Sequence, residues 1–470
     1  MDELLDGDAT GLAAAIRRGE VSADEVLKHT LARMAERDPA VQAVAEPCPD
    51  ILRAHDGPLA GVPFVVKDLG VDVAGMHSRG GSRLFADRVA TADSEVVARY
   101  RRAGLVVVAT TKTPELGRNA STEPVLGGPA RNPHRLTHSP GGSSGGTAAA
   151  VAAGMVTIGH GNDGGGSIRI PASMCGLVGL KPTRGRVPAF PRRTSFSYPV
   201  SINHVLTTSV RDSALVLDLT AGPLPGDPQV TPPPARPYIE ELGAPTGRLR
   251  IALATNRPDG GPVHPDCVAA TEGAAALLES LGHVVEPADL AWPADAVRAA
   301  MVAIMSVPMA TDIDARLAEL DRPMADDDLE AMTRFLYDGA KAMPGTAVIV
   351  ALQELERAAH ALGAIHATYD LLLTPTMAQP VPPLGLLDMM DLPAMFEHAG
   401  GYSAFTGFAN VTGQPAISLP LATDSTGLPV GVQLVAAFGG EDVLLRVASQ
   451  VEAAAPWSTA PVYSGQSSST

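Results

Sequence analysis

Residues 139–171 read SPGGSSGGTAAAVAAGMVTIGHGNDGGGSIRIP. Two clusters of glycine in this stretch each hold a serine, Ser143 in the first and Ser167 in the second, and small apolar residues join them. Glycine loses more backbone entropy on folding than any other residue, so such clusters indicate positions where the backbone must be bare. The stretch predicts two tight loops close to two hydroxyls, with a helix beginning in GGSSGGTAAA.

Glycine-rich loops occur in ordinary turns, in nucleotide-binding loops and around the nucleophiles of hydrolases. The phosphate-binding pattern GxxxxGK[ST] is not met, because no lysine follows these glycines. GHGNDG at 159–164 fits the dinucleotide pattern GxGxxG only loosely, since neither a good helix nor a suitable acidic residue follows. Nucleophilic catalysis is the third interpretation: the amides of Gly164, Gly165, Gly166 and Ser167 would face a carbonyl oxygen that gains negative charge.

A serine nucleophile also needs a base, and histidine is the usual one. His160 is nearest in sequence, but GxSxG is absent, and a loop histidine near the site is the simpler interpretation. His134 and His138 lie four residues apart between prolines and outside any HExxH pattern, so we expect no metal site there.

Lysine is the alternative base. Lys67 ends the apolar run GVPFVVK, where burial would lower its pKa and leave a neutral amine able to accept a proton. From composition alone, a structural lysine at the end of a strand is the favoured interpretation of Lys67. That interpretation is stronger for Lys112 and Lys181, which lie beside Pro and Gly in turns.

The composition of the chain disfavours several classes of function. The chain has 470 residues, a net charge of −16, 45% hydrophobic residues and three widely spaced cysteines. This acidity disfavours partners with phosphate backbones or anionic headgroups, and the cysteine pattern favours reduced thiols over disulfides or zinc. The N-terminus lacks a signal-peptide pattern, and the longest apolar run that we identify, residues 148–158, is shorter than a membrane span. We therefore expect a cytoplasmic protein without nucleic-acid or membrane partners.

Short apolar runs alternate with helical patterns from residue 60 onwards. Strands are predicted at 61–67, 105–110, 248–255, around Val284 and at 370–375, and helices at 8–19, 22–37, 94–104 and 267–282. In the second helix Ser22 and Glu25 form a capping-box pattern, and Pro39 is expected to follow its end. This alternation predicts an α/β fold with a largely parallel or mixed sheet.

We predict one domain over 1–470. It would comprise an N-terminal helical part at 1–60, the core at 61–190, a variable helical segment at 288–365 and a flexible tail at 460–470.

The residues resemble the amidase signature family over nearly the whole chain. GVPFVVKDLG resembles the lysine segment of that family, SPGGSSGGTAAAVAAGM its first serine block, and GNDGGGSIRIPASMCGLVGLKPTRGRV its signature core. The resemblance implies an α/β/α sandwich around a large twisted mixed sheet. It also implies hydrolysis of a small amide without metal or other cofactor, through an acyl-enzyme. Homodimer formation stays open.

The resemblance further implies a Ser-Ser-Lys triad. Ser167 would be the nucleophile, Ser143 the proton relay after a cis bond from Gly142, and Lys67 the terminal base. The amides of residues 164–167 would form the oxyanion hole, and Asp163 and Arg169 would brace the loop as a structural ion pair.

Two features distinguish this chain within the family. The family commonly has Thr-Asp-Thr before GGS, whereas this chain has Asn162, Asp163 and Gly164, which we expect to widen the edge of the pocket. HGND and ARNPH are similar to the branch that contains 6-aminohexanoate cyclic dimer hydrolase. Loops 190–204, 300–345 and 385–405 are expected to face the substrate. A glutaminase component of a tRNA-dependent amidotransferase and an inactive relative are the alternatives.

Overall fold

The computed structural model describes residues 1–51, 56–191, 200–290, 292–459 and 461–462. Most of the predicted tail at 460–470 and residues 192–199 of the predicted substrate-facing loop lie outside these residues.

The described residues form one mixed sheet of eleven strands. The strands are β1 Val44–Pro47, β2 Pro63–Lys67, β3 Val106–Thr111, β4 Ile158–Asp163, β5 Val178–Lys181, β6 Ile202–Thr207, β7 Arg250–Leu253, β8 Val284–Pro287, β9 Leu371–Pro375, β10 Ala416–Thr423 and β11 Pro429–Ala436. Their order is β1-β3-β2-β4-β6-β5-β10-β11-β9-β7-β8. Strand β2 is parallel to β3 and β4, and β7 is parallel to β8 and β9, whereas the central pairs from β4 to β9 are antiparallel.

Helices cover both faces of this sheet. The helices are α1 Asp2–Leu5, α2 Ala9–Arg17, α3 Ala23–Val41, α4 Glu95–Arg102, α5 Gly145–Ala152, α6 Arg169–Cys175, α7 Val210–Thr220, α8 Pro265–Ser280, α9 Ala294–Glu319, α10 Ala331–Ala342, α11 Gly345–Gly363, α12 Leu392–His398, α13 Gly400–Ser403, α14 Gly407–Thr412 and α15 Glu441–Ala454. The expected α/β/α sandwich with a mixed central sheet is confirmed.

Alternation along β2 assigns its side chains to the two layers. Phe64 and Val66 pack into the apolar cluster that contains α2, α4, α7, α8 and α15. Val65 packs into the opposite cluster, with α3, α5 and α6. Successive side chains of a strand point to opposite faces, so Lys67 shares the face of Val65 and points toward α5 and α6.

Two local predictions need correction in the N-terminal region. The predicted helical part at 1–60 also contains β1, which pairs with β3 at the edge of the sheet. Helix α3 has the predicted capping box at Ser22 and Glu25, but it runs past Pro39 to Val41. A proline in the last turn removes one backbone donor, and the Gln42 amide still bonds the Asp38 carbonyl, so the helix continues.

Helix α9 is a longer apolar segment than residues 148–158. Among the described residues it is the one helix whose length and composition would suffice to cross a membrane, and 44% of its most apolar window is buried inside the protein. It packs against α10 and α11. These contacts are those of a helix that covers a core.

Candidate active site

The parallel pairing of β2 and β4 brings the predicted site together. Both strands end at the same edge of the sheet, β2 at Lys67 and β4 at Asp163. The loop after β4 carries Ser167 and leads into α6, and the loop before α5 carries Ser143. The amide of Ser144 donates to the carbonyl of Ser167 at 3.2 Å and joins the two loops. The Gly142–Ser143 peptide bond is cis.

Lys67 is fully buried beneath these loops. Its Nζ lies 2.7 Å from the Ser143 Oγ and 2.6 Å from the Asn162 Oδ1, and both partners are neutral. Burial lowers the pKa of Lys67 well below its usual 10.5, and the negative charge of Asp163 only partly opposes this. The site therefore favours a neutral amine in contact with a serine hydroxyl.

Asn162 fixes the position of that amine. Its Oδ1 accepts from Lys67, and its Nδ2 donates to the carbonyl of Leu69 at 2.6 Å, which determines the orientation of the amide. The side chain is buried and does not line the cavity. The expectation that Asn162 widens the pocket edge is therefore wrong, because this side chain points along the sheet toward Lys67.

The three predicted catalytic residues lie at increasing depth. Ser167 lines a cavity of about 420 Å³, whereas Ser143 is 2% exposed and Lys67 is fully buried. No hydrogen bond joins the Ser143 and Ser167 hydroxyls within the part of the chain that the structure describes. Catalytic contacts are often long in ligand-free structures and shorten when substrate binds.

The glycine segment before Ser167 has three amides without a protein partner among the described residues: those of Gly164, Gly165 and Ser167. The Gly166 amide differs, because it donates to the Asp163 Oδ1 at 2.7 Å. The prediction that all four amides face the cavity is therefore wrong for Gly166, and only Gly165 and Ser167 of this segment line the cavity. The Asp163 carboxylate lies underneath the loop and accepts the hydrogen bond of the Gly166 amide.

Asp163 and Arg169 form a fully buried ion pair below the loop. The Arg169 Nη2 and Nε lie 2.9 Å and 3.0 Å from the two oxygens of the Asp163 carboxylate. Burial alone would raise the pKa of Asp163, but Arg169 more than offsets this and holds it below its usual range. The expected structural pair is thus present, and it shapes the loop that presents Ser167.

Distant residues complete the hydrogen bonds of this pair, and no local pattern in the sequence signals them. Arg169 also donates to the Thr406 carbonyl and to the side chains of Gln433 and Asn410, which satisfies all five of its N–H groups. The Asn410 amide donates back to Asp163, and the Thr406 hydroxyl donates to the Gly165 carbonyl at 2.6 Å. Residues from the C-terminal half of the chain therefore hold the loop.

The cavity has an apolar roof above the catalytic loops. Helix α9 contributes Val297, Met301, Val302 and Met305, and the segment 395–411 contributes further apolar residues, including Met395. Residues of the predicted loops 300–345 and 385–405 thus lie in its wall. The cavity suits an apolar molecule with a few polar groups.

The other candidates from the sequence lie outside this wall. His160 is buried on β4, its Nε2 lies 3.3 Å from the Asn203 Oδ1, and burial lowers its pKa to about 3. His134 contacts the Cys175 carbonyl through Nε2. Lys181 ends β5, and its amine donates to the Pro182 carbonyl. Among the residues described, no group of three or more His, Cys, Asp or Glu side chains could hold a metal ion.

Comparisons with known proteins agree with this geometry. Residues 23–445 match the family described as Amidase. The chain is 39% identical to the 6-aminohexanoate-cyclic-dimer hydrolase of Paenarthrobacter ureafaciens, over 96% of this chain and 95% of that protein. A solved structure of 6-aminohexanoate cyclic dimer hydrolase complexed with substrate superimposes with a TM-score of 0.92 at 38% identity, covering 98% of this chain and 100% of the other. The glutamyl-tRNA(Gln) amidotransferase chain solved from Thermotoga maritima superimposes less well, with a TM-score of 0.78 at 27% identity over 95% of each chain.

These relatives confirm the similarity to the cyclic dimer hydrolase branch that HGND and ARNPH indicate. The match covers both serine loops, the lysine strand and the C-terminal residues that support them. The chain therefore belongs to the amidase signature family and is an amidohydrolase.

Proposed function

We propose that the chain hydrolyses carboxamides through an acyl-enzyme on Ser167, with Ser143 as relay and Lys67 as terminal base. The observation that carries this proposal is the 2.7 Å contact between the Lys67 Nζ and the Ser143 Oγ directly beneath the cavity. A neutral amine has one lone pair and two N–H groups. In this arrangement one N–H donates to Asn162, and the lone pair accepts the hydroxyl proton of Ser143.

In acylation, the Ser167 Oγ attacks the substrate carbonyl carbon. Its proton passes to the Ser143 Oγ, whose own proton passes to Lys67. The oxygen that becomes negative would lie against the free amides of Gly165 and Ser167, the two residues of this segment that line the cavity. Ser143 then protonates the leaving nitrogen and regains a proton from Lys67, so the C–N bond breaks and ammonia or an amine departs. Water attacks the ester by the same relay and releases a carboxylic acid.

The substrate class follows from the cavity and from the relatives. The apolar roof suits aliphatic or aromatic amides, and two relatives at 39% identity are named as hydrolases of a cyclic amide. We propose linear and cyclic amides that carry an aliphatic chain. Hexanamide, benzamide and a cyclic dimer of 6-aminohexanoate form the first test panel, with mass spectrometry of the products.

Two variants test the catalytic roles. Ser167→Ala should abolish both hydrolysis and labelling by a fluorophosphonate probe, because it removes the nucleophile. Lys67→Ala should lower kcat by about 10²–10⁴-fold, the usual contribution of a general base. Retained turnover above about 1% in Ser167→Ala, or near-native rates in Lys67→Ala at pH 7, would assign the chemistry to other residues.

The glutaminase alternative predicts a different outcome in the same assays. A glutaminase of a tRNA-dependent amidotransferase would act on glutamine and would need a partner chain. Turnover of hexanamide or benzamide by the isolated chain, with none on glutamine, supports a free-standing amidase. The reverse pattern refutes it.

A further inference from the structure

A cationic side chain without an acidic partner lies in the wall of the cavity. Arg118 follows Gly117 in the loop after β3, and both residues line the same cavity as Ser167. The guanidinium contacts two neutral groups, the Met305 carbonyl and the Met309 Sδ. Burial lowers the pKa of Arg118 to about 10, and no carboxylate among the described residues pairs with it.

The other charged groups at this cavity are already neutralised. Arg298 pairs with Asp295 at 2.8 Å, and both side chains are largely exposed at the mouth. Asp259, also in the wall, pairs with Arg257. Arg118 therefore contributes the uncompensated charge among the described lining residues, in a chain whose net charge is −16.

The geometry of the guanidinium leaves one edge unused. The Arg118 Nε donates to the Met309 sulfur, and Nη2 donates to the Met305 carbonyl, so the edge formed by Nε and Nη2 faces α9. The opposite edge, formed by Nη1 and the second N–H of Nη2, has no protein acceptor among the residues described. That edge has the spacing that binds a carboxylate through two parallel hydrogen bonds.

From this arrangement we infer that the preferred substrates are aliphatic amides that also carry a carboxylate, which Arg118 binds while Ser167 attacks the amide. The inference rests on the proposed function, because it concerns the substrate of the same site. The methionine and valine side chains of α9 would surround the aliphatic chain between the two groups.

The test compares pairs of substrates in which a terminal carboxylate replaces a terminal methyl group. Adipamate, H₂NCO(CH₂)₄COO⁻, is paired with hexanamide, and N-acetyl-6-aminohexanoate is paired with N-acetylhexylamine, so that the carboxylate lies on the acyl or on the amine side. The readout is the ratio of kcat/KM within each pair. We expect the wild-type chain to favour the anionic member of at least one pair.

Arg118→Met should reduce that ratio at least tenfold, which corresponds to about 1.4 kcal/mol. The change should be mainly in KM, and Arg118→Lys should restore part of it. Arg248→Met is the matched control, since Arg248 is exposed and does not line the cavity. It removes the same charge and should change the ratio less than twofold.

Arg118 also anchors α9, so the loss of this anchor must be distinguished from the loss of a carboxylate site. An anchor alone predicts equal losses on charged and neutral substrates, and that result would overturn the inference, as would unchanged ratios in both pairs. If Arg118→Met fails to fold, a binding measurement on the wild-type chain replaces it. The inference then requires that hexanoate raise the melting temperature of the wild-type chain more than hexan-1-ol does. This binding measurement does not need turnover, so it separates failure of the inference from failure of the amidase function, which fluorophosphonate labelling tests independently.

Discussion

Replacing Lys67 by methionine should remove a pH dependence from the stability of the folded chain. In the unfolded chain this lysine titrates near 10.5, whereas burial holds its pKa well below that value in the folded state. Between these two pKa values the unfolded chain binds one more proton than the folded chain, so stability rises with pH and is lost as pH falls. The slope is ~1.4 kcal/mol per pH unit for one group.

The size of this pH dependence follows from the groups that surround the Lys67 amine. Both hydrogen-bond partners of Lys67 are neutral, and Asp163 is already paired with Arg169, so little in the site stabilises an ammonium. Methionine fills a similar volume and does not titrate. Within the window, the wild-type free energy of unfolding should therefore rise relative to that of Lys67→Met by ~2.7 kcal/mol over two pH units.

Urea unfolding of both proteins at pH 7.5, 8.5 and 9.5, followed by tryptophan fluorescence, measures this difference. The lost contacts to Ser143 and Asn162 add a constant offset, so the slope of the difference carries the result. Lys28→Met is the control: Lys28 is exposed, and its replacement should retain the wild-type pH dependence. Parallel stability curves for wild type and Lys67→Met would show that the amine keeps an ordinary pKa, and the neutral-base mechanism would be refuted.

Two further substitutions test the support of the nucleophile loop. Asp163→Asn leaves the buried Arg169 without its counter-charge and should reduce the free energy of unfolding by about 3–5 kcal/mol in urea titrations; a loss below about 1 kcal/mol would mean that the pair is not what holds the loop. Gly166→Ala should unfold the loop and abolish activity, because Gly166 has φ +130° and an added Cβ would lie 2.3 Å from the Thr406 Oγ1. Gly165→Ala is its matched control, since no atom lies within 4 Å of that Cβ, and its thermal stability should stay within about 0.5 kcal/mol of wild type; equal losses in the two variants would contradict the packing argument.

The sequence predicts the part of the site that depends on short segments. Lys67 ends an apolar run whose length is typical of a buried strand. The residues before Lys67 therefore predict that its side chain is buried. Ser143 and Ser167 lie in glycine loops at helix starts. Strand β4 is not among the predicted strands, because its sequence IGHGND mixes glycine with polar residues, so its parallel pairing with β2 could not be predicted. The contact between Lys67 and Ser143 could be predicted from the family resemblance but not from spacing alone.

The residues that the sequence misses reach the site through tertiary packing. Asn410 and Gln433 lie more than 240 residues after Asp163 in the chain, and no local pattern relates them to it. Asn162 lies inside a strand, where the side-chain direction depends on the register with β2. Arg118 follows a glycine in an irregular loop, and only the fold places it against α9. In each case the decisive quantity is a distance between elements, which a single sequence does not encode locally.

The two glycine clusters serve different physical purposes. In the first cluster, an added Cβ on Gly142 would lie 2.6 Å from the Asn119 carbonyl oxygen, and one on Gly146 would lie 2.5 Å from the Lys112 nitrogen. These glycines let α5 and its loop pack directly against backbone, and this close packing excludes water from the lysine amine. In the second cluster, Gly165 has open space around it, so bare backbone there leaves amides accessible from the cavity. A lysine that acts as a neutral base needs the first arrangement, because desolvation is what lowers its pKa, and an oxyanion needs the second. A side chain introduced in the first cluster should therefore damage the base, and one introduced at Gly165 should alter substrate access while the base remains intact.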